Sequence, residues 1–506
     1  MAERKKRGSQ NLENNVRTGI PGFDEILNGG FAKNELYLLQ GDPGTGKTIF
    51  SMQFLKTGIE AGERCLFITF SQRVKSLREA AESLGFSLEG IHIYDLSQQK
   101  SLQQLSSEQV IFESAEIEME ELMQELLELL ERVAPDRVVF DSISYLRMLA
   151  NDSARYRRQL LLLRNFFSRH NATVLLTDDQ EQLPIRSELQ ALVHGVILLN
   201  HESTQYGSER RFLNIQKFRG RNYLGGLHDF RIGPGGIRVF KRLQGKHAAE
   251  KGTWETISSG IVQIDSLLHG GLSEGTTCLF AGPAGAGKSS LAAHFLDAAA
   301  MRGEKTAAFL FDELPGTFIH RSENLGMKIG EHIKNNLLNA RLVSPGEYST
   351  GEFAHEVLSS VKDFGARIVL IDTLSGYINA MPDVPFLVTQ IHDLIAALNQ
   401  LGVLTIIVVA QHGYVGTRLE DPLDVSYLAD AVILFRNFEA GGRIRRAVSV
   451  FKKRYGDHER YIRELDSTKD GIRIGEPLSG FSGVLSGNPV FSGRNEELID
   501  KGEHRE

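Results

Sequence analysis

Two long stretches of the chain repeat one alternation of apolar runs and polar, glycine-containing breaks. In the first, ELYLLQ (35–40) passes through a glycine-rich turn into KTIFSMQFLKTGIEAG (47–62), whose apolar positions recur at helical spacing. The apolar runs RCLFITF (64–70), RVVFDSIS (137–144) and ATVLLTD (172–178) follow, separated by further helical segments. The second stretch reads TTCLFA (276–281), KSSLAAHFLDAAAMRG (288–303), TAAFLFDE (306–313), RIVLIDTLS (367–375) and LTIIVVA (404–410) in the same order. Continuous Val, Ile and Leu runs suit strands covered on both faces, and the intervening helices supply the covers. The pattern predicts an α/β chain of two tandem domains, each a mostly parallel sheet flanked by helices.

The repeat is also visible residue by residue. TGIPGFDEILNGGFAKNELYLLQGDPGTGKTIFSMQFL (18–55) matches SGIVQIDSLLHGGLSEGTTCLFAGPAGAGKSSLAAHFL (259–296), with Gly19 on Gly260, Asp24 on Asp265 and Lys47 on Lys288. The offset, 288 − 47 = 241, is a whole domain rather than the repeat of about 20 to 50 residues that builds a solenoid. The expected domains are residues 15–243 and 257–475. Between them the polar QGKHAAEKGTWET (244–256) reads as a linker, 1–14 as a disordered N-terminus and 476–506 as a partly mobile tail.

Within each copy, a glycine loop between strand and helix satisfies the phosphate-loop pattern. Gly41, Gly44, Gly46, Lys47 and Thr48 form the first, and Gly282, Gly285, Gly287, Lys288 and Ser289 the second. Backbone N–H groups and the following helix start attract a phosphate, while the lysine reaches the β- and γ-phosphates. The Thr or Ser hydroxyl is expected to ligate Mg²⁺, supported by Asp141 and Asp372, which end apolar strands behind the two loops. ATP and Mg²⁺ are therefore the expected ligands of both copies. The copies differ after their second strand. Asp312 and Glu313 stand there in the second, as candidate bases for activating a water or hydroxyl, but Ser71 and Gln72 in the first. Asp178 and Asp179 are acids too, on a strand that does not match the acid pair's position.

Charge and composition narrow the function classes. Among 506 residues, 57 Lys and Arg against 64 Asp and Glu give a net charge of −7, which argues against the broad basic surface of a DNA binder. The segments QEQLPIRSELQAL (180–192) and GYVGTRLEDPLD (413–424), where a recombinase-like DNA-binding ATPase would place basic loops, are mixed or acidic. An ATP-stabilised scaffold without catalysis is the other alternative. No apolar run is long enough to span a membrane, no secretory signal opens the sequence, and two cysteines make no disulfide framework. A cytoplasmic protein without membrane contact is expected.

With its duplicated phosphate loops, FDE after the second strand and VLIDTLS, the chain resembles the KaiC family of RecA-like ATPases across residues 15 to about 490. IQKFRGRNYLGGLHDFRI (215–232) and VFKKRYGDHERYIREL (450–465) extend the resemblance. It implies a double-ring homohexamer with ATP between neighbouring subunits, to which Lys217, Arg219, Lys452 and Arg454 would reach across in trans. It implies serine/threonine autokinase activity as well, with Ser426 as the acceptor hydroxyl. Tyr427 occupies the second acceptor position and Asp421 stands where clock proteins carry another threonine. A regulatory protein partner is also expected, with no motif naming it.

Overall fold

Both phosphate-loop runs are buried strands. In the computed structural model all six residues of β1 (Leu36–Gly41) and all seven of its counterpart (Thr277–Pro283) are buried. The structure describes residues 15–70, 72–96, 112–149, 153–179, 186–203, 209–244, 255–381, 387–411, 428–468, 471–485 and 489–491. The chain divides near residue 243 into two compact units.

In the first unit β1 is followed by β2 (Cys65–Thr69), β3 (His92–Asp95), β4 (Arg137–Asp141), β5 (Thr173–Asp179), β6 (Gly195–Glu202), β7 (Arg210–Phe218), β8 (Leu227–Gly233) and β9 (Gly236–Phe240). They form one nine-stranded sheet in the order β9-β8-β7-β6-β1-β5-β4-β2-β3. The six strands from β6 to β3 run parallel, and β7, β8 and β9 add antiparallel pairs at one side.

The second unit repeats this with β10 (Thr277–Pro283), β11 (Thr306–Leu310), β12 (Leu338–Leu342), β13 (Ile368–Asp372), β14 (Leu404–Gln411), β15 (Ala431–Ala440), β16 (Arg443–Lys453), β17 (Arg463–Thr468) and β18 (Gly471–Pro477). Its sheet runs β12-β11-β13-β14-β10-β15-β16-β17-β18, the same order. Even the irregularities coincide: a β-bulge interrupts the pairing at Val196/Ile197 in one unit and at Val432/Ile433 in the other.

Side chains alternate between the faces of each sheet, and both faces are covered. Tyr37 and Leu39 of β1 join one core with Phe50 and Phe54 of the helix Lys47–Glu60; Leu36 and Leu38 join the opposite core. Cys278 and Phe280 divide from Leu279 and Ala281 in the same way. Each fully buried Leu or Phe contributes roughly 1.5–3 kcal/mol, so a sheet covered on both faces is held from two sides. The helix Phe112–Val133 is amphipathic: it buries Leu122, Met123, Leu126, Leu129 and Leu130 and exposes Glu121, Glu128 and Glu131. The helix Ser153–His170 buries Tyr156, Leu160, Leu163 and Phe167 while Arg155, Arg157, Arg158, Arg164 and Arg169 face outwards.

Candidate functional site

The two phosphate loops sit at the C-terminal ends of the central strands β1 and β10, where an open parallel sheet places its ligands. Gly41 lies so close to the neighbouring strand that a Cβ there would stand 2.5 Å from the Leu199 carbonyl oxygen and 2.7 Å from Thr45 Oγ1. At Gly282 the same atom would meet the Phe435 carbonyl oxygen at 2.4 Å. Gly46 and Gly287 start their helices in the left-handed region, at φ 104° and 99°, which glycine enters at least cost. These requirements shape a cradle of backbone N–H groups at the start of a 14-residue helix in each unit.

Lys47 and Lys288 are both buried at the loop mouth. Lys47 Nζ donates to the carbonyl oxygens of Gly41 (2.6 Å) and Asp42 (3.1 Å), and Lys288 Nζ to those of Gly282 (2.8 Å) and Pro283 (2.6 Å). Burial lowers the Lys288 ammonium to about 8, with the Asp372 carboxylate pulling the other way. Lys47 in addition forms an ion pair with Asp179 Oδ1 at 2.9 Å.

The strand-end aspartates stand beside the loop hydroxyls. Thr48 donates to Asp141 Oδ2 at 2.8 Å, while Thr177 of β5 donates to the other oxygen, Oδ1, at 2.6 Å. In the second unit Ser289 hydrogen-bonds Asp372, but the residue in register beside Asp372 is Val408, which has no hydroxyl to offer. Burial pushes the Asp372 carboxyl up to about 6, opposed by Ser289 and Arg321 and reinforced by Glu313. An oxygen-only pair of hydroxyl and carboxylate is the donor chemistry that Mg²⁺ accepts. Thr48 with Asp141, and Ser289 with Asp372, therefore fit the ion expected in each site.

Asp312 and Glu313 follow β11, the strand hydrogen-bonded to β13 that carries Asp372. Asp312 Oδ2 accepts from Thr373 Oγ1 at 2.7 Å, and the same hydroxyl caps the helix Leu374–Ala380 by accepting from Gly376 N. Glu313 is gripped by Arg321 through two parallel bonds of 3.0 and 2.9 Å, and Arg321 also reaches Ser290 Oγ at 3.1 Å. The acid pair is thus fixed to two neighbouring elements of the same site. In the first unit Gln72 is exposed and engaged through its backbone with Thr69; Ser71 lies outside the described residues. Ala80 occupies the position matching Arg321, 80 + 241.

The four candidate trans-acting cations lie at the other end of the strands. Lys217 pairs with Val196, level with Leu38, three residues before Gly41. Lys452 pairs with Val432, level with Leu279, three residues before Gly282. At about 3.3 Å per residue this sets their backbones roughly 10 Å back from their own loops. Lys217 Nζ donates to the Gln190 carbonyl oxygen, Arg219 to that of Ala191 (2.7 Å), Lys452 to that of Ala429 (2.8 Å), and Arg454 lies 3.4 Å from Asp430 Oδ1. Desolvation, and then the neighbouring arginine, lowers both lysine ammonium pKa values. Ser426, with Tyr427 and Asp421, lies outside the described residues.

A family model described as "ATPase: KaiC" matches residues 16–244 and, a second time, residues 257–479. The chain belongs to the KaiC family of ATPases. It is 26% identical over 485 residues to the circadian clock oscillator protein KaiC of Synechococcus elongatus, covering 94% of this chain and 92% of that one. It is 25% identical to the circadian clock protein KaiC3 of Synechocystis sp., covering 98% of both chains, and 26% identical to KaiC2 of the same organism, covering 93% and 83%. As in the sequence reading, the KaiC-family fold is two tandem RecA-like units. No helix among the described residues is long and apolar enough to cross a membrane.

Three groups of this KaiC-family ATPase escaped the sequence reading. Arg321 stands eight residues beyond Glu313 on a helix, and only the fold turns it back. Thr177 and Val408, the residues beside the two strand-end aspartates, distinguish the copies only once strand order is known. Asp179 lies on a strand that does not match the acid pair's position, and its contact with the loop lysine arises only because that strand is the immediate neighbour of β1.

Proposed function

We propose that the chain is an ATP-driven double-ring regulator in which the first unit binds ATP for assembly, with weak or no hydrolysis, and the second hydrolyses it. The observation that carries this reading is the placement of Asp312 and Glu313 beside Asp372, with Gln72 at the matching place in the first unit. Six chains would form each homohexamer, in the cytoplasm, with nucleotide between neighbours.

The chain's own residues divide the work. Backbone N–H groups of the loops 41–48 and 282–289 orient the phosphates, and Lys47 and Lys288 neutralise their charge. Thr48 with Asp141, and Ser289 with Asp372, hold Mg²⁺. When bound there, that ion would supply positive charge against the phosphates. Glu313, or Asp312 beside it, takes the proton from the attacking water. Lys452 and Arg454 lie too far back to serve their own loop; supplied by a neighbouring subunit they stabilise charge on the transferring phosphoryl group, and Lys217 and Arg219 do the same for the first ring.

The same site supports a serine/threonine autokinase step. The Ser426 hydroxyl attacks the γ-phosphorus, its proton passes to the acid pair, the bond to the β-bridging oxygen breaks, and ADP leaves. Incubation with γ-labelled ATP, followed for free phosphate and protein-bound label, tests both activities. Free phosphate is expected to accumulate, with label on Ser426 that Ser426→Ala removes. Label that survives Ser426→Ala, or none after long incubation, would remove the kinase step; binding without any phosphate release would leave an ATP-stabilised scaffold.

A pH profile tests the electrostatics of the second site. Asp372 attracts a cation only when ionised, and Lys288 a phosphate only when protonated. For the free enzyme, kcat/KM is therefore expected to decline below about pH 6 and above about pH 8. Steady-state rates at limiting Mg²⁺ across both limbs provide the check, and a flat profile would show that neither group limits binding.

A further inference from the structure

The first site carries a carboxylate that the second lacks. In β5 the residue in register with Gly41 is Asp179; in β14 the residue in register with Gly282 is Ala410. Side chains alternate along β5, and two features fix which way its last two acids turn. Asp178 is buried on one face, where Arg147 Nη2 meets Oδ1 at 2.7 Å and Gln40 Nε2 meets Oδ2 at 3.3 Å. Thr177 and Asp179 fall on the other face, the side of the phosphate-loop helix. There Thr177 bonds Asp141 at 2.6 Å and Asp179 Oδ1 reaches Lys47 Nζ at 2.9 Å. The second unit replaces the buried anchor as well: Ala281 stands for Gln40, Val409 for Asp178 and Ile378 for Arg147. An anchored strand end and a carboxylate on the loop lysine thus occur together in one copy and are absent together from the other.

We propose that Asp179 is a specificity-determining residue of the first nucleotide site, occupying Lys47 so that a nucleotide must displace it and disfavouring the γ-phosphate over ADP. The inference rests on the reading that the first unit binds nucleotide. Lys47 is the group that meets the β- and γ-phosphates in such a loop. Any phosphate oxygen bonded to the same ammonium comes within about 6 Å of the Asp179 carboxylate, summing two hydrogen bonds of ordinary length. Like charges at that range oppose one another, and the terminal phosphate of ATP adds charge where the carboxylate stands. Asp179 is 43% exposed, so water weakens the repulsion without removing it. Among the described residues the second site has no carboxylate at the matching strand position, where Ala410 stands.

The test uses the full-length chain with Lys288→Ala, which weakens the second site so that the first fills at lower nucleotide concentration. Fluorescent ATP and ADP analogues are titrated in Mg²⁺ with Asp179, Asp179→Asn and Asp179→Glu. Asp179→Asn is expected to tighten ATP roughly 3- to 10-fold, with a smaller gain for ADP, while Asp179→Glu keeps the original preference. A gain in affinity is a result that loss of a merely structural contact would not produce. An unchanged or weaker ATP affinity in Asp179→Asn, with thermal unfolding unaltered, overturns the role of Asp179 alone. No binding to any of the three chains overturns the first-site nucleotide reading, and this inference with it.

Discussion

Glu313→Gln is expected to lower ATP turnover of the full-length chain by roughly 10²- to 10⁴-fold, the usual cost of losing a positioned general base. The substitution preserves size and an amide oxygen for Arg321, so the helix Pro315–Glu323 keeps its anchor. What disappears is the capacity to take a proton. Asp312 remains bonded to Thr373, and Ser289 and Asp372 are untouched, so nucleotide affinity at the second loop should change little. Phosphate release measured beside equilibrium binding separates the two quantities. Intact turnover would move the base to Asp312 or elsewhere, and turnover that also survives Asp312→Asn would end the division of labour between the units.

Lys47→Ala and Lys288→Ala should differ in kind. Removing either ammonium takes away charge-assisted hydrogen bonds worth about 1.5–3 kcal/mol, or roughly 10- to 100-fold in nucleotide affinity at that loop. In the first unit the proposed role of ATP is assembly, so Lys47→Ala is expected to shift the chain towards smaller species at a given concentration. The residual assemblies should still turn ATP over. Lys288→Ala should leave the assembly size at the first ring's level and abolish turnover. Sedimentation at several concentrations, with phosphate release on the same samples, distinguishes the cases. Intact assemblies of Lys47→Ala would deny the first unit its structural part.

How much of this was readable from the amino-acid order follows from where the interactions lie along the chain. The loops, their lysines and hydroxyls are contiguous, and so is the apolar strand before each of them. Asp141 and Asp372 were readable because each ends an apolar run in both copies. Neighbours created by strand order were not. β5 reaches β1 only by crossing from beyond β4, so the meeting of Asp179 with Lys47, 132 residues apart (179 − 47), leaves no local trace. Arg321 depends on a helix folding back towards Ser290. The polar runs in β7 and β16 read as charged exposed strands, and their antiparallel pairing follows from short connections rather than from any buried pattern.

The level of Lys217 and Lys452 on the strands has a consequence for heredity and mixing rather than for chemistry. In the proposed ring each chain would present phosphates from one end of its sheet and cations from the other, so no site would belong to a single chain. A damaged lysine would be felt in the neighbour's site, and a damaged loop in the chain's own. Two defective copies, one lacking Lys452 and one lacking Lys288, would form one wholly functional interface wherever the intact halves meet, and one doubly defective interface in the opposite order. In a cell carrying both alleles, defects in this protein would be counted by interface and not by chain.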